Sequence, residues 1–470
     1  MNIKRGQEGQ ALILIVLGIV GLVALVALAI DAGNAFSDRR HAQNAADATA
    51  LAAALAKVRG GNLYAKGLAI ADINDYHDEY PGAEASTPDV NVEIYNPPGA
   101  GCDGSVPNPV NLAADPNDLI EYYIQVIIHS NVDTFFAPIV GIDQLHNCVE
   151  AIARAKPATY EELFLGAALV ALKPNGNDTI LANGNIDLDI NNSGVFDNST
   201  GTCAMRANGN VYLEVDTSYS IVGGYCQNGN VTRIGPLDLG AQQVPYPPQI
   251  NIPAPQITCS RDGYRTGNTY YPGNYNGITV NDNGNYSFAP GNYCFNGNVT
   301  FNGNINVTAS GVNFRINAGS FNINGNSTFT CNNLLVYGSG GSGMHFNGNG
   351  NNNCTNVTFY LASGNVSWNG NVTNTFTAPQ SGPYANLLLY MPYGNNSELT
   401  INGNSNNNIT GTIMGISAPV TINGNSGTTG YHSQIIGYTI TLNGNSDTTI
   451  NYNDAENYQA LVPPSIELSK

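Results

Sequence analysis

FNGNVTFNGNI, Phe295 to Ile305, holds Asn-Gly-Asn twice within eleven residues. The triplet starts again at Asn324, Asn347, Asn369, Asn402, Asn423 and Asn443, so from Asn302 onward the intervals are 22, 23, 22, 33, 21 and 20 residues. A period of twenty-odd residues is the signature of a solenoid. The flanks (VTFNGNINVTA, FNINGNSTFT, LTINGN, VTINGN, TITLNGN) alternate as strands do and are poor in helix formers, which excludes a helical solenoid and points to a right-handed parallel β-helix. Gly turns a corner at positive φ without steric cost, and Asn tolerates the left-handed region better than most residues. The expected turns are therefore Asn296, Gly297 and Asn298; Asn324, Gly325 and Asn326; Asn402, Gly403 and Asn404; Asn423, Gly424 and Asn425; and Asn443, Gly444 and Asn445. With coils about 4.8 Å apart, equivalent Asn side chains would form ladders. Asn296 and Asn302, six residues apart, read as successive corners of one three-sided coil.

Length and composition frame this reading. The chain has 470 residues, 42% of them hydrophobic and only 11% charged, with a formal charge of −18. Residues 1–60 contain six bases and four acids, so the negative charge lies in the remainder. An acidic body with few cations speaks against nucleic-acid binding. Eight widely spaced cysteines without a C-x-x-C pair favour disulfides over a zinc or redox site. Cys203 and Cys226, like Cys331 and Cys354, are 23 residues apart, about one coil. Adjacent coils would bring each pair within bridging distance. Cys102 and Cys148 flank the strands of a separate region, and Cys259 pairs with Cys294 by elimination.

Ala11 to Ile30 (ALILIVLGIVGLVALVALAI) is uncharged. Its twenty residues would span about 30 Å as a helix, the hydrocarbon thickness of a bilayer, and exceed the apolar core of a signal peptide. It reads as an uncleaved, single-pass membrane anchor with the N-terminus cytoplasmic and the body extracytoplasmic or on the cell surface. The Ala-rich run Asn34 to Lys57 continues the helix, with a small-residue stripe at Ala35, Ala42, Ala45, Ala46, Thr49, Ala53 and Ala56.

The same segment resembles the N-terminal motif of the Flp pilus-assembly TadG-like family. Its markers are Gly9-Gln10-Ala11 before the span, Asp31 after it, Arg39-Arg40, and Gln43-Asn44-Ala45-Ala46-Asp47-Ala48, all within residues 1–58. The resemblance implies a bacterial protein anchored in the membrane and linked to the Tad pilus or export machinery. Related prepilins are cut after a Gly with a Glu five residues later. Here the residue five after Gly6 is Ala11, and Ile3 stands five before Glu8, so no such processing is expected.

The expected organisation is mainly β: an anchor and extended helix at 1–58, a small α+β membrane-proximal domain at 59–165, a first β section at 166–243, a Pro-rich linker at 244–262, the parallel β-helix at 263–452, and a C-terminal cap at 453–470. Three strands are expected in the small domain, at Val90 to Asn96, Glu121 to Ser130 and Asn147 to Pro157, with TFFAPIVGI between the last two. His77 with Asp75, Asp78 and Glu79 reads as a solvated loop rather than a metal site.

Polysaccharide-cleaving β-helices need converging carboxylates. Between residues 300 and 445 the charged side chains are Arg315 and Glu398, so no enzyme is expected, and no catalytic, metal or cofactor residues. The neutral Asn of the triplet also departs from the Asp of calcium-binding repeats. The role expected is structural, in Tad/Flp pilus assembly or adhesion, with the membrane and other pilus-assembly or envelope proteins as partners. The alternatives are a stand-alone surface adhesin or glycan-binding protein, using exposed Trp368, Tyr390 and Tyr393 on glycans or other cell surfaces, and a carbohydrate-active β-helix enzyme.

Overall fold

A computed structural model describes residues 8–77, 91–111, 118–341, 343–370, 373–403, 407–424 and 428–469. The chain forms two compact units, residues 1–160 with 461–470, and residues 161–460. Asn404 and Asn425 of the expected turns lie outside the described residues, as do Asp78 and Glu79.

In the first unit, helix α1 (Glu8–Val58) runs unbroken for 51 residues. It ends where Gly60 adopts φ 71° and Gly61 N–H bonds back to the Ala56 carbonyl at 2.8 Å. Helix α2 (Leu63–Ile73) follows, its first turn capped by the Asn62 side chain, which accepts from Ala65 N–H at 3.1 Å. Strands β1 (Asn91–Tyr95), β2 (Tyr123–Asp133) and β3 (Gln144–Lys156) form an antiparallel sheet. The alanine stripe of α1 lies on this sheet. Ala42, Ala45, Ala46, Ala50, Ala53 and Ala54 are buried with Val92, Ile124, Val126, Ile128 and Val149. Methyl-sized side chains let the helix backbone approach the strands closely, which larger residues would prevent.

The second unit is a parallel β-solenoid of about twelve turns. FNGNVTFNGNI occupies two corners of one coil. Its strands are Gly291–Phe295, Val299–Phe301 and Ile305–Ile316, and Phe295 and Phe301 point into the core with no exposed surface. The corners differ in what stacks on them. Asn302 belongs to a long ladder in which each Nδ2 donates to the Oδ1 of the coil before: Asn302 to Asn281 (2.6 Å), Asn324 to Asn302 (2.8 Å), Asn347 to Asn324 (3.1 Å), Asn369 to Asn347 (2.9 Å), Asn402 to Asn369 (2.7 Å) and Asn423 to Asn402 (2.6 Å). Asn296 instead accepts from Asn317 at 3.0 Å in a shorter ladder.

One expectation about the triplet is corrected. Its Asn residues do not use the left-handed region; among the described residues the Asn at positive φ are Asn192, Asn333, Asn356 and Asn386, none in a triplet. Several central glycines take the positive φ instead, at 119° for Gly184, 114° for Gly209, 114° for Gly303 and 93° for Gly444, whereas Gly297 and Gly424 do not. The flanking Asn residues supply the amides of the ladder.

The order of the coils differs from the order of the chain. The sections 166–243 and 263–452, divided in sequence by the Pro-rich stretch, form one stack. Strand Ile440–Asn451 pairs in parallel with Ile180–Asn191, which pairs with Met205–Val215, which pairs with Tyr225–Ile234. The Asn ladder passes through this junction in register, with Asn443 beside both Asn423 and Asn183, and continues with Asn208 donating to Asn183 (2.7 Å) and Asn228 to Asn208 (3.0 Å). The Pro-rich segment then runs back along the flank of the stack. Val244 N–H donates to Asn198, Tyr246 reaches Ser417, the Tyr384 hydroxyl donates to the Pro253 carbonyl, and Arg315 donates to the Ile257 carbonyl. Ile252 is buried there against Tyr360, Leu387, Tyr390 and Met414, so an apolar outer face of the solenoid is covered by its own linker.

The C-terminal residues are also corrected. Ser465–Leu468 does not cap the solenoid; it adds a strand to the small sheet, antiparallel to β3. Residues 453–458 lie along the solenoid flank, where Asn457 Oδ1 accepts from Gln434 N–H at 2.6 Å.

Inside the stack, Phe288, Tyr293, Phe314, Phe321, Phe329, Phe346, Phe359 and Phe376 form a continuous aromatic column. A buried amide ladder runs beside them, Asn352 to Asn374 (2.9 Å) and Asn374 to Asn407 (3.0 Å). Asp197 is fully buried too. It accepts from the Thr179 hydroxyl at 2.8 Å and from Ser199 N–H at 3.0 Å, yet burial dominates and pushes its carboxyl up to about 6 from the ordinary 3.8. The folded state therefore holds a proton that the unfolded chain releases. Stability is fully present below pH 4 and is lost as pH rises through 6, by about 3 kcal/mol from this group. Urea melts at pH 4 and pH 7 should show this loss, and Asp197→Asn should remove its pH dependence.

Candidate functional site

Two surfaces bear on function: the N-terminal half of α1 and the outer faces of the solenoid. Along α1, Leu12, Leu14, Leu17, Leu22 and Leu25 are each more than 60% exposed, and exposed apolar residues continue to Ile30. This is a helix long and apolar enough to cross a membrane. One residue later the character changes. Asp31 is buried, and its carboxylate accepts from Phe135 N–H (2.8 Å), Phe136 N–H (3.0 Å) and Ala137 N–H (2.8 Å) in the turn joining β2 to β3. Burial alone would raise the Asp31 pKa, but these three donors outweigh it and hold the carboxyl below its usual range. Further along, Asp38 accepts from the Ser130 hydroxyl (2.5 Å) and Asn147 Nδ2 (2.8 Å), and Gln43 Nε2 bridges Asp47 (2.9 Å) and the Glu150 carbonyl (3.0 Å). The polar residues of α1 thus fasten it to the hairpin β2–β3, while the run before Asp31 is left bare.

That division coincides with a known pattern. Residues 9–56 match the Tad family model, described as Putative Flp pilus-assembly TadE/G-like. The Tad segment covers the bare apolar run together with the sheet-bound alanine stripe, and its Asp31 and Gln43 make the contacts just given. Arg39 and Arg40 of the same segment are exposed. Neither the curated proteins nor the solved structures contain a significant match to the chain.

On the solenoid, the aromatic surface expected from the sequence is corrected. Tyr393 is 62% exposed, but Tyr390 is buried in a cluster with the linker and Trp368 is 1% exposed, meeting Phe376 edge to face in the core. The alternation of NVSWNGNV placed Trp368 on an inward position, and the Pro-rich segment hides Tyr390.

A carboxylate grouping went unseen in sequence. Asp187 and Asp447 face each other in register on neighbouring coils, 260 positions apart in the chain, with Asp189 and Glu214 close by. They border a shallow depression lined by Asn185, Asn210, Tyr212, Asn230, Thr232 and Asn445. Burial, then the Asp447 and Glu214 charges, raise the Asp187 pKa, and the Tyr212 hydroxyl donates to Glu214 at 2.5 Å. The stretch 300–445 held no such group because the stacking order, not the sequence order, assembles it.

The remaining polar candidates are engaged locally. His345 Nδ1 bonds the Ser367 hydroxyl at 2.6 Å, and burial lowers its pKa. His432 lies 3.5 Å from Glu456, and His77 contacts Asp72. The cysteines form four disulfides: Cys102–Cys148 and, in the solenoid, Cys203–Cys226, Cys259–Cys294 and Cys331–Cys354, with Cα separations of 5.8, 5.2, 6.1 and 4.4 Å. Cys203–Cys226 and Cys331–Cys354 staple neighbouring coils, and Cys259–Cys294 pins the end of the returning linker to its coil.

Proposed function

We propose that this chain is a single-pass envelope protein of Tad/Flp pilus assembly. The apolar run of α1 anchors it, the N-terminus is cytoplasmic, and the solenoid serves outside the cytoplasm as a structural or adhesive body rather than as an enzyme. The carrying observation is the abrupt change at Asp31, inside the family-matched segment, from bare apolar surface to a helix clasped by a folded domain. Four disulfides accord with an oxidising compartment. Other envelope or pilus-assembly proteins are the partners this reading implies. Deleting residues 161–460 in the native host while keeping the first unit tests it. Pilus number by electron microscopy, or attachment to surfaces, should fall sharply; unchanged pili and attachment would contradict the role.

A second reading, glycan binding or processing by the solenoid, draws on the depression that gathers Asp187, Asp447, Tyr212 and ladder amides. Amides and carboxylates at one site suit hydrogen bonding to sugar hydroxyls. Binding or cleavage of surface polysaccharides that disappears in Asp187→Asn with Asp447→Asn would favour it over a purely structural body.

A further inference from the structure

The turn between β2 and β3, TFFAPIVGI (Thr134 to Ile142), carries a group of exposed apolar side chains outside the span. Phe135 is 71% exposed, Ile139 87% and Val140 76%, and Phe136 and Ile142 are also exposed. Residues Asn131 to Asn147 contain no Lys or Arg. Single exposed apolar residues are ordinary, but a contiguous group of five marks a surface that meets something apolar.

Its position identifies the occupant. The turn is tied to α1 through Asp31, the residue directly after the apolar run, so it lies within about one helical turn, roughly 5 Å, of where that run ends. The apolar surface of the helix and that of the turn are thus continuous at one level. Most N–H groups of the turn are engaged within the protein. Phe135, Phe136 and Ala137 N–H donate to Asp31, Ile139 to the Phe136 carbonyl (3.2 Å), Gly141 to Pro138 (3.0 Å) and Ile142 to Ala137 (3.1 Å), and Pro138 has no N–H. A segment that meets lipid gains from having its N–H groups bonded within the protein, as these are. Behind it Gln144 donates to Asp133 at 2.8 Å, a polar pair at the base of the hairpin.

We propose that Thr134–Ile142 inserts its apolar side chains into the interfacial layer of the bilayer that α1 crosses, as a second, shallow membrane contact that fixes the domain on the lipid surface. This rests on the anchor reading above. Aromatic and aliphatic side chains at the tip fit the headgroup–acyl boundary, and Asp31 acts as the clasp that sets their depth.

The test uses the full chain in vesicles of phosphatidylethanolamine and phosphatidylglycerol whose acyl chains carry bromine either near the headgroup or near the chain end. Trp368→Phe supplies a tryptophan-free background. Into it go Leu22→Trp in the span, Ile139→Trp at the turn, and Leu119→Trp just before β2, at the opposite end of the sheet from the turn. Leu22→Trp should be quenched most by chain-end bromine. Ile139→Trp should show a blue-shifted emission and be quenched most by headgroup-proximal bromine, while Leu119→Trp is unaffected. If Leu22→Trp is quenched and Ile139→Trp behaves like Leu119→Trp, the turn does not enter lipid; its apolar surface then meets a protein and the inference is overturned while the anchor stands. If Leu22→Trp itself is not quenched, the anchor reading fails and the inference fails with it.

Discussion

Gly209→Ala is expected to destabilise the solenoid by about 4 kcal/mol, although it adds only one methyl group. Gly209 has φ 114°, a conformation that costs an L-residue about 1–3 kcal/mol. A Cβ there would sit 2.4 Å from the Gly184 carbonyl oxygen of the neighbouring coil, and a backbone atom cannot rotate away as a side chain would. The coils must separate, which strains the Asn208–Asn183 rung of the ladder next door. Gly240 supplies the control, since its φ is 83° but nothing lies within 4 Å of a built Cβ. Gly240→Ala should therefore cost only about 1 kcal/mol. Urea midpoints of the two variants separate the close stacking of coils from the backbone preference of glycine. Equal losses would mean that the coils are not in contact at this corner.

Trp368→Ala should lose about 3–5 kcal/mol, the usual penalty for emptying a large buried aromatic site. The ring is 1% exposed, lies 5.5 Å from Phe376 between centroids, and stands in register between Phe346 and Ile401. Its indole nitrogen is buried and, among the described residues, has no hydrogen-bond partner. Trp368→Phe removes that unsatisfied donor together with part of the ring, so the two effects oppose and the net change should be small. Denaturation of both variants checks this. A large loss in the Phe variant would show that the indole N–H has a partner in solution.

Local chemistry was legible in the sequence, whereas long-range stacking was not. The bare run Ala11 to Ile30 and the alanine stripe are patterns of one helix, and strand alternation with a coil-length period is a property of consecutive residues. The 23-residue spacing that joins Cys203 with Cys226 and Cys331 with Cys354 is likewise a one-coil property. By contrast, nothing in a repeat says which coil lies beside which. Asn443 stacks on Asn183 because every coil presents the same ladder, so the section before the Pro-rich stretch can close onto the end of the section after it. The same ambiguity hid the Asp187–Asp447 pair. Tyr390 was misplaced because its cover is a segment 140 residues away in the chain, and the tail because Ser465–Leu468 found an edge of the small sheet rather than the end of the solenoid. That positive φ falls on glycines such as Gly303 and Gly444, and not on the triplet asparagines, needed torsion angles to see.

The most direct test of the account is immunogold labelling of intact, unpermeabilised cells with an antibody against the solenoid. The account predicts label at the envelope, together with loss of that label when Leu22→Arg and Leu25→Arg disrupt the apolar run. Label found only after permeabilisation, and confined to the cytoplasm, would contradict it.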